Sequence, residues 1–195
     1  MQSFDPRTAL VVVDVQNDFA DPAGSLHVPG GEDVVAPIDA LVTTALEEGA
    51  AVLYTQDWHP PVTPHFASDG GIWPDHCVQG TWGAELHPGL RVRGPVVRKG
   101  ANGEDGYSGF TMRDPRSGET MPTELERMLR ERHIERLVIA GLATDYCVRA
   151  TARDAVALGY ATVVPRALVR AVDLQPGDGD RAVAEMAAEG VVIEG

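Results

Sequence analysis

Lysine is nearly missing from this chain. Among 195 residues and sixteen basic side chains, Lys99 is the single lysine and the rest are arginine. Cysteine is almost as scarce: Cys77 and Cys147 are the two examples, too few for a disulfide framework. Basic charge is short overall. Sixteen Lys and Arg against twenty-nine Asp and Glu leave a net charge of −13, which repels phosphate backbones and anionic lipid and so argues against nucleic acid and membrane as partners. No apolar run approaches the roughly eighteen residues that span a bilayer. Residues 1–7, Met-Gln-Ser-Phe-Asp-Pro-Arg, carry no charged leader followed by an apolar stretch. Together these shortages are read as a cytoplasmic protein with reduced thiols.

Core-forming residues are present in ordinary amounts, with 44% apolar and 23% charged. A chain of this length buries roughly 70% of the surface its unfolded form exposes, so one domain over residues 1–195 is expected. Apolar runs at 9–13, 50–54, 95–97, 137–140, 161–165 and 191–193 read as six strands. Helical spacing fills 33–48, 122–132, 144–158 and 178–189. This alternation predicts an α/β fold, a mostly parallel six-stranded sheet with helices on both faces. Two Gly- and Pro-rich stretches, 60–95 and 100–118, break the rhythm. Connections that long are usually functional or disordered.

Ligands in such sheets bind outside the carboxyl ends of the strands. Asp14, Asp57 with His59, and Lys99 stand at the ends of the first three strands, and Cys147 lies in the first turn of a helix after the fourth. A thiol there faces the positive end of the helix dipole, which predicts a lowered pKa. Spacing offers no Cys–His dyad, and Asp14 is the candidate base. A lone lysine in an arginine-rich chain points to a specific use for an ammonium. His59, His65 and His76, half of the chain's six histidines, fall within one 18-residue loop, and with Asp57 they form a donor set for zinc, iron or manganese. Cys77 is read as a buried structural thiol, and His27, His87 and His133 as surface or core residues. Gly100, Gly103 and Gly106 are no dinucleotide fingerprint, because the first strand is followed by Asp14-Val15-Gln16-Asn17-Asp18 and not by glycines. No organic cofactor is expected.

Taken in order, segments 13–19 (VDVQNDF), 57–60 (DWHP), 73–78 (WPDHCV), 98–100 (RKG), 107–110 (YSGF) and 141–148 (GLATDYCV) resemble the nicotinamidase branch of the isochorismatase-like cysteine hydrolases. Each piece alone is weak; the combination, over residues 9 to about 165, is specific. The resemblance implies a catalytic Asp14, Lys99 and Cys147, and one divalent metal ion on Asp57, His59 and His76, with His65 where some members place a further ligand. It implies a cis peptide between Leu142 and Ala143, and an oxyanion hole from the backbone N–H groups of Ala143 and Cys147. Phe19 and Trp73 are expected to sandwich an aromatic ring, with Tyr107 and Tyr146 also lining the substrate site. Tyr146 stands where some relatives have histidine. The implied activity is hydrolysis of nicotinamide to nicotinate and ammonia through a thioester. Two alternatives stay open: a related cysteine amidohydrolase for another small amide, and an inactive relative that binds a metal and an aromatic ligand. An isochorismatase proper is disfavoured, because it lacks the nucleophilic cysteine. Whether the chain forms a homo-oligomer is left open.

Overall fold

Strand β1 (Thr8–Val13) is buried along its whole length in the computed structural model, which describes residues 4–195. An aliphatic run with no polar face must be a central strand covered on both sides. Leu10 and Val12 enter one apolar layer, while Ala9, Val11 and Val13 enter the other. Residues 1–3, part of the segment read as lacking a leader, lie outside the described residues.

After β1 come a short helix α1 (Asn17–Ala20) and the long helix α2 (Gly31–Glu47). Val34, Ile38 and Val42 of α2 close the first layer. Strands β2 (Ala51–Asp57) and β3 (Val96–Lys99) follow, then a small antiparallel pair, β4 (Thr111–Arg113) and β5 (Thr120–Pro122). The remaining elements are α3 (Leu125–Glu131), β6 (Arg136–Leu142), α4 (Arg149–Ala157), β7 (Ala161–Pro165), β8 (Val169–Arg170), α5 (Asp178–Ala188) and β9 (Val192–Glu194). Leu125, Leu129, Ala152, Ala155 and Met186, from α3, α4 and α5, pack in the second layer.

The main sheet runs β3-β2-β1-β6-β7-β9, with every pairing parallel. It holds seven strands and not the expected six. The addition is β8, which extends the ladder of β6 through Gly141 and Leu142, past the Arg136–Val138 stretch that pairs with β7. Two residues are too few to leave a periodic signal in sequence. The β4–β5 pair was also unexpected, since its half-exposed residues form no apolar run. Among the described residues no helix is long and apolar enough to cross a membrane.

From β1 the chain builds outward through β2 and β3, then returns on the other side of β1 with β6. The strand order therefore reverses between β1 and β6, and their carboxyl ends open a crevice. Gly141 makes the close approach feasible: it has φ +125°, and a Cβ there would stand 2.1 Å from the Val13 carbonyl oxygen.

Candidate active site and metal centre

The ends of β1, β2 and β3 deliver Asp14, Asp57 and Lys99 to one buried cluster, which Cys147 joins from the segment after β6. Asp14 has φ +48°, a left-handed turn that lets the chain leave β1 sharply. The Thr55 hydroxyl donates to Asp14 Oδ1 at 2.6 Å and accepts from the Asp14 N–H at 3.2 Å. Lys99 Nζ lies 2.9 Å from Asp14 Oδ2, an ion pair without hydrogen-bond alignment. Nζ also donates to Asp57 Oδ1 and approaches Cys147 Sγ at 3.6 Å. Lys99 is 1% exposed, so its charge has no water to fall back on.

Burial sets the proton affinities. It pushes the Asp14 carboxyl above the ordinary carboxylate range, with Lys99 opposing and Asp57 reinforcing. Burial acts the same way on Asp57, yet Lys99 and His59 outweigh it and hold that carboxyl well below its usual range. Burial would strip the Lys99 proton, but Asp14, Asp57 and Cys147 keep it on. The Cys147 thiol is pushed well above the usual cysteine value by burial; Lys99 opposes, Asp14 and Asp57 reinforce. This corrects the expectation of a thiol acidified by a helix dipole. Cys147 does stand in the first turn of a helix, because the π-turn Thr144–Val148 is entered from the extended Ala143 and runs straight on into α4 at Arg149. In so dry a place, desolvation and two neighbouring carboxylates dominate.

A second cluster adjoins the first. The ring nitrogens of His59, His65 and His76 lie within 4.8 Å of one another, all buried or nearly so. Their loop is ordered by its own backbone. The N–H of His59 donates to the Cys77 carbonyl, Gln79 donates back to His59, and Ala67 donates to Trp73. Gly100, at φ +75°, leaves room for the His59 ring, whose Nδ1 would stand 2.7 Å from a Cβ there. Both His59 nitrogens are buried without a protein partner, a cost of about 1–3 kcal/mol each unless a ligand takes them. The Pro74 carbonyl lies 2.7 Å from His76 Nδ1; a carbonyl only accepts, so Nδ1 carries the proton and Nε2 keeps its lone pair. Burial lowers the His76 pKa to about 4, which keeps the ring neutral. Asp57 Oδ2 stands 3.9 Å from His59 Nε2. These donors fit a divalent metal ion. His65, the least certain member by resemblance, lies as close to the other two histidines as they do to each other.

Phe19, Trp73, Tyr107, Tyr146, Ala143 and Cys147 line a pocket that also reaches Asp57, His65 and His76. Trp73 Nε1 donates to Tyr107 Oη at 3.0 Å, and both rings meet Tyr146 edge-on, at 4.9 and 5.2 Å. The Leu142–Ala143 peptide is cis. Cys77 packs in the apolar layer with its N–H on Asp18, and burial pushes its thiol up as well. His27 pairs with Glu32 and His87 accepts from Gly89, both away from this pocket.

Sequence reasoning missed several residues that hold the site. Thr55 grips Asp14. Gln16 accepts from the Asp57 N–H and donates to its carbonyl, both at 2.8 Å. Asp105 meets His65 Nδ1 at 2.9 Å. Each is a polar residue whose use depends on a distant partner, and spacing carries no trace of that.

A wholly parallel seven-stranded sheet, with a buried thiol, lysine and aspartate beside a histidine cluster at the reversal of strand order, defines a class of α/β protein. Comparisons with known proteins give that class its family. The isochorismatase domain model matches residues 8–194. A nicotinamidase of Escherichia coli is 39% identical over 206 residues, covering 96% of this chain and 94% of the relative. The crystal structure of pyrazinamidase of Pyrococcus horikoshii in complex with zinc superposes with a TM-score of 0.86 at 38% identity, covering 96% of this chain and 98% of that one. PnC1 from L. infantum, solved in complex with nicotinate, superposes at 0.88 and 35% identity over 98% and 94%. The chain belongs to the isochorismatase family.

Proposed function

We propose that this chain is a metal-dependent cysteine amidohydrolase that converts nicotinamide to nicotinate and ammonia. One observation carries the reading: a fully buried ammonium, Lys99, contacts Asp57, Asp14 and the Cys147 sulfur beside a pocket walled by aromatic rings. Relatives named nicotinamidase, and neighbours solved with zinc and with nicotinate, support it.

The chemistry follows from the two carboxylates. Environments that push a pair of carboxyls apart assign their roles. Asp57 stays ionised and balances Lys99. Asp14, with its raised proton affinity, takes the thiol proton as Cys147 Sγ attacks the amide carbon. Lys99 stabilises the developing thiolate. The N–H groups of Ala143 and Cys147 hold the oxyanion. Asp14 then passes the proton to the leaving amine, ammonia departs, and a thioester remains. Water, deprotonated by Asp14, cleaves it to nicotinate and restores the thiol. Phe19, Trp73, Tyr107 and Tyr146 grip the ring and exclude bulk water. His59, His65, His76 and Asp57 would hold a divalent cation, which would supply Lewis-acid character at the floor of the substrate pocket. Zinc, iron and manganese all suit these donors. Two unpaired cysteines support a reducing, cytoplasmic setting.

Ammonia release from nicotinamide, measured with the metal content of the same preparation, tests the proposal. Steady turnover that stops on chelation is expected. A metal-loaded protein that releases no ammonia overturns it, and turnover of other amides in preference to nicotinamide moves the substrate assignment.

A further inference from the structure

Two of the three clustered histidines are held in place by groups of different character. His76 donates from Nδ1 to a neutral acceptor, the Pro74 carbonyl. His65 meets a carboxylate, Asp105 Oδ1, 2.9 Å from its Nδ1. That carboxylate is itself fixed. The Gly106 N–H donates to Oδ1 at 2.8 Å, and Arg113 reaches Oδ2 at 3.3 Å. The backbones of Asp105 and Arg113 exchange two hydrogen bonds, at 2.7 and 2.6 Å, which pins Asp105 to β4. With the Gly106 N–H on Oδ1 and the Arg113 guanidinium on Oδ2, both carboxylate oxygens act as acceptors. The Nδ1 proton therefore belongs to His65, and its Nε2 presents a lone pair. The ring stacks on His59 with centroids 4.6 Å apart and an interplanar angle of 20°.

We propose that Asp105 is a positioning residue that makes His65 a ligand of the divalent cation, and that it thereby ties the glycine-rich segment 100–118 to the filling of that site. The inference rests on the metal reading above and adds to it. A charged acceptor behind an imidazole fixes ring orientation and tautomer and strengthens the opposite nitrogen as a ligand more than a carbonyl does. It also runs the connection outward. A cation on His65 orders Asp105, and Asp105 orders β4 and the residues before it, including Tyr107 of the pocket wall two positions on.

Zn²⁺ affinity by competition with a chromophoric chelator, on the full chain, tests this. The wild type binds Zn²⁺, and Asp105→Ala binds about 10–100-fold more weakly. Asp105→Asn, whose amide oxygen still accepts from Nδ1, falls between them. Asp105→Ala in a His65→Ala background costs nothing further, and Arg113→Ala, which removes one of the contacts that hold the carboxylate, costs less than Asp105→Ala. Hydrogen exchange across 100–118 slows on adding Zn²⁺ to the wild type and does not slow in Asp105→Ala. Wild-type affinity in Asp105→Ala, additive losses in the double variant, or an equal loss in Arg113→Ala overturns the proposal. Should Asp105→Ala fail to fold, Asp105→Asn carries the test, and an affinity equal to wild type there overturns it too. A wild-type chain that binds no Zn²⁺ fails at the metal reading itself, and the two failures are told apart by that first titration.

Discussion

Asp57 accepts a hydrogen bond from the Lys99 ammonium with one carboxylate oxygen and turns the other toward His59. One side chain thus stands between the thiol cluster and the histidine cluster, and disturbing it is felt in both.

Asp57→Asn is expected to weaken cation binding and, at saturating Zn²⁺, still to lower kcat/KM by about a hundredfold, because the ammonium beside Cys147 loses one of its two counter-charges and shifts toward Asp14. Measuring kcat/KM across a Zn²⁺ series separates the two effects. Full recovery at high Zn²⁺ would mean that Asp57 serves the cation alone.

Lys99→Ala leaves Asp14 and Asp57 buried without their cation, a loss of about 3–5 kcal/mol in stability. Lys99→Arg keeps the charge but forces a planar fork into a space filled by a compact ammonium. Overpacking there costs about 1–3 kcal/mol, and an ångström of displacement at Asp14 or Cys147 costs about a hundredfold in rate. Thermal melts and kcat/KM for both variants check this. Near-wild-type activity in Lys99→Arg would reduce Lys99 to a diffuse positive charge.

The two thiols should separate cleanly. Cys147→Ala abolishes turnover with little change in fold, whereas Cys77→Ala keeps turnover and costs about 1 kcal/mol of stability. Because Cys147 is raised above the ordinary thiol range, its alkylation by iodoacetamide in the substrate-free protein should climb through the neutral range and beyond pH 8. A rate that levels off below pH 7 would restore the acidified thiol expected from the helix dipole.

His76 gives the metal-free protein an acid limit. Its folded pKa, about 4, lies below the 6.5 of an ordinary histidine. Between those values the unfolded chain binds the extra proton, so stability rises with pH there and falls as pH drops from 6.5 toward 4. The shift corresponds to roughly 3 kcal/mol. Melting temperature against pH for the metal-free wild type and His76→Gln tests it: the variant's curve should be flatter across this window. Parallel curves would show that the histidine is free to protonate in the fold.

Apolar runs were a good guide to the sheet but stopped short where polar residues are buried. The run at 50–54 ends at Tyr54, yet β2 continues through Thr55, Gln56 and Asp57, all buried because each finds a partner across the sheet. The run at 95–97 likewise misses Lys99, the residue that matters most on β3. Helix 122–132 shrinks to Leu125–Glu131, since Pro122 belongs to β5. Strand ends and the histidine loop pointed to the principal site residues. Thr55, Gln16 and Asp105 stayed hidden, because a side chain that matters through a contact forty residues away leaves no local pattern. The thiol expectation failed for a related reason: sequence can locate a turn, but the surrounding dielectric emerges only after packing.

Asp57 and Lys99 are also register partners in the β2–β3 ladder. Adjacent parallel strands run about 4.8 Å apart, so the sheet itself is the ruler for that contact. A one-residue slip of β3 would turn Lys99 to the opposite face and bring Arg98 or Gly100 into its place. The histidines are measured differently, by loop 58–95 and its turns. The molecule therefore keeps two kinds of tolerance side by side. Insertions and exchanges in the loop can retune or erase the metal donors while the thiol, ammonium and carboxylates keep their spacing, so a lineage can trade its metal without rebuilding its nucleophile.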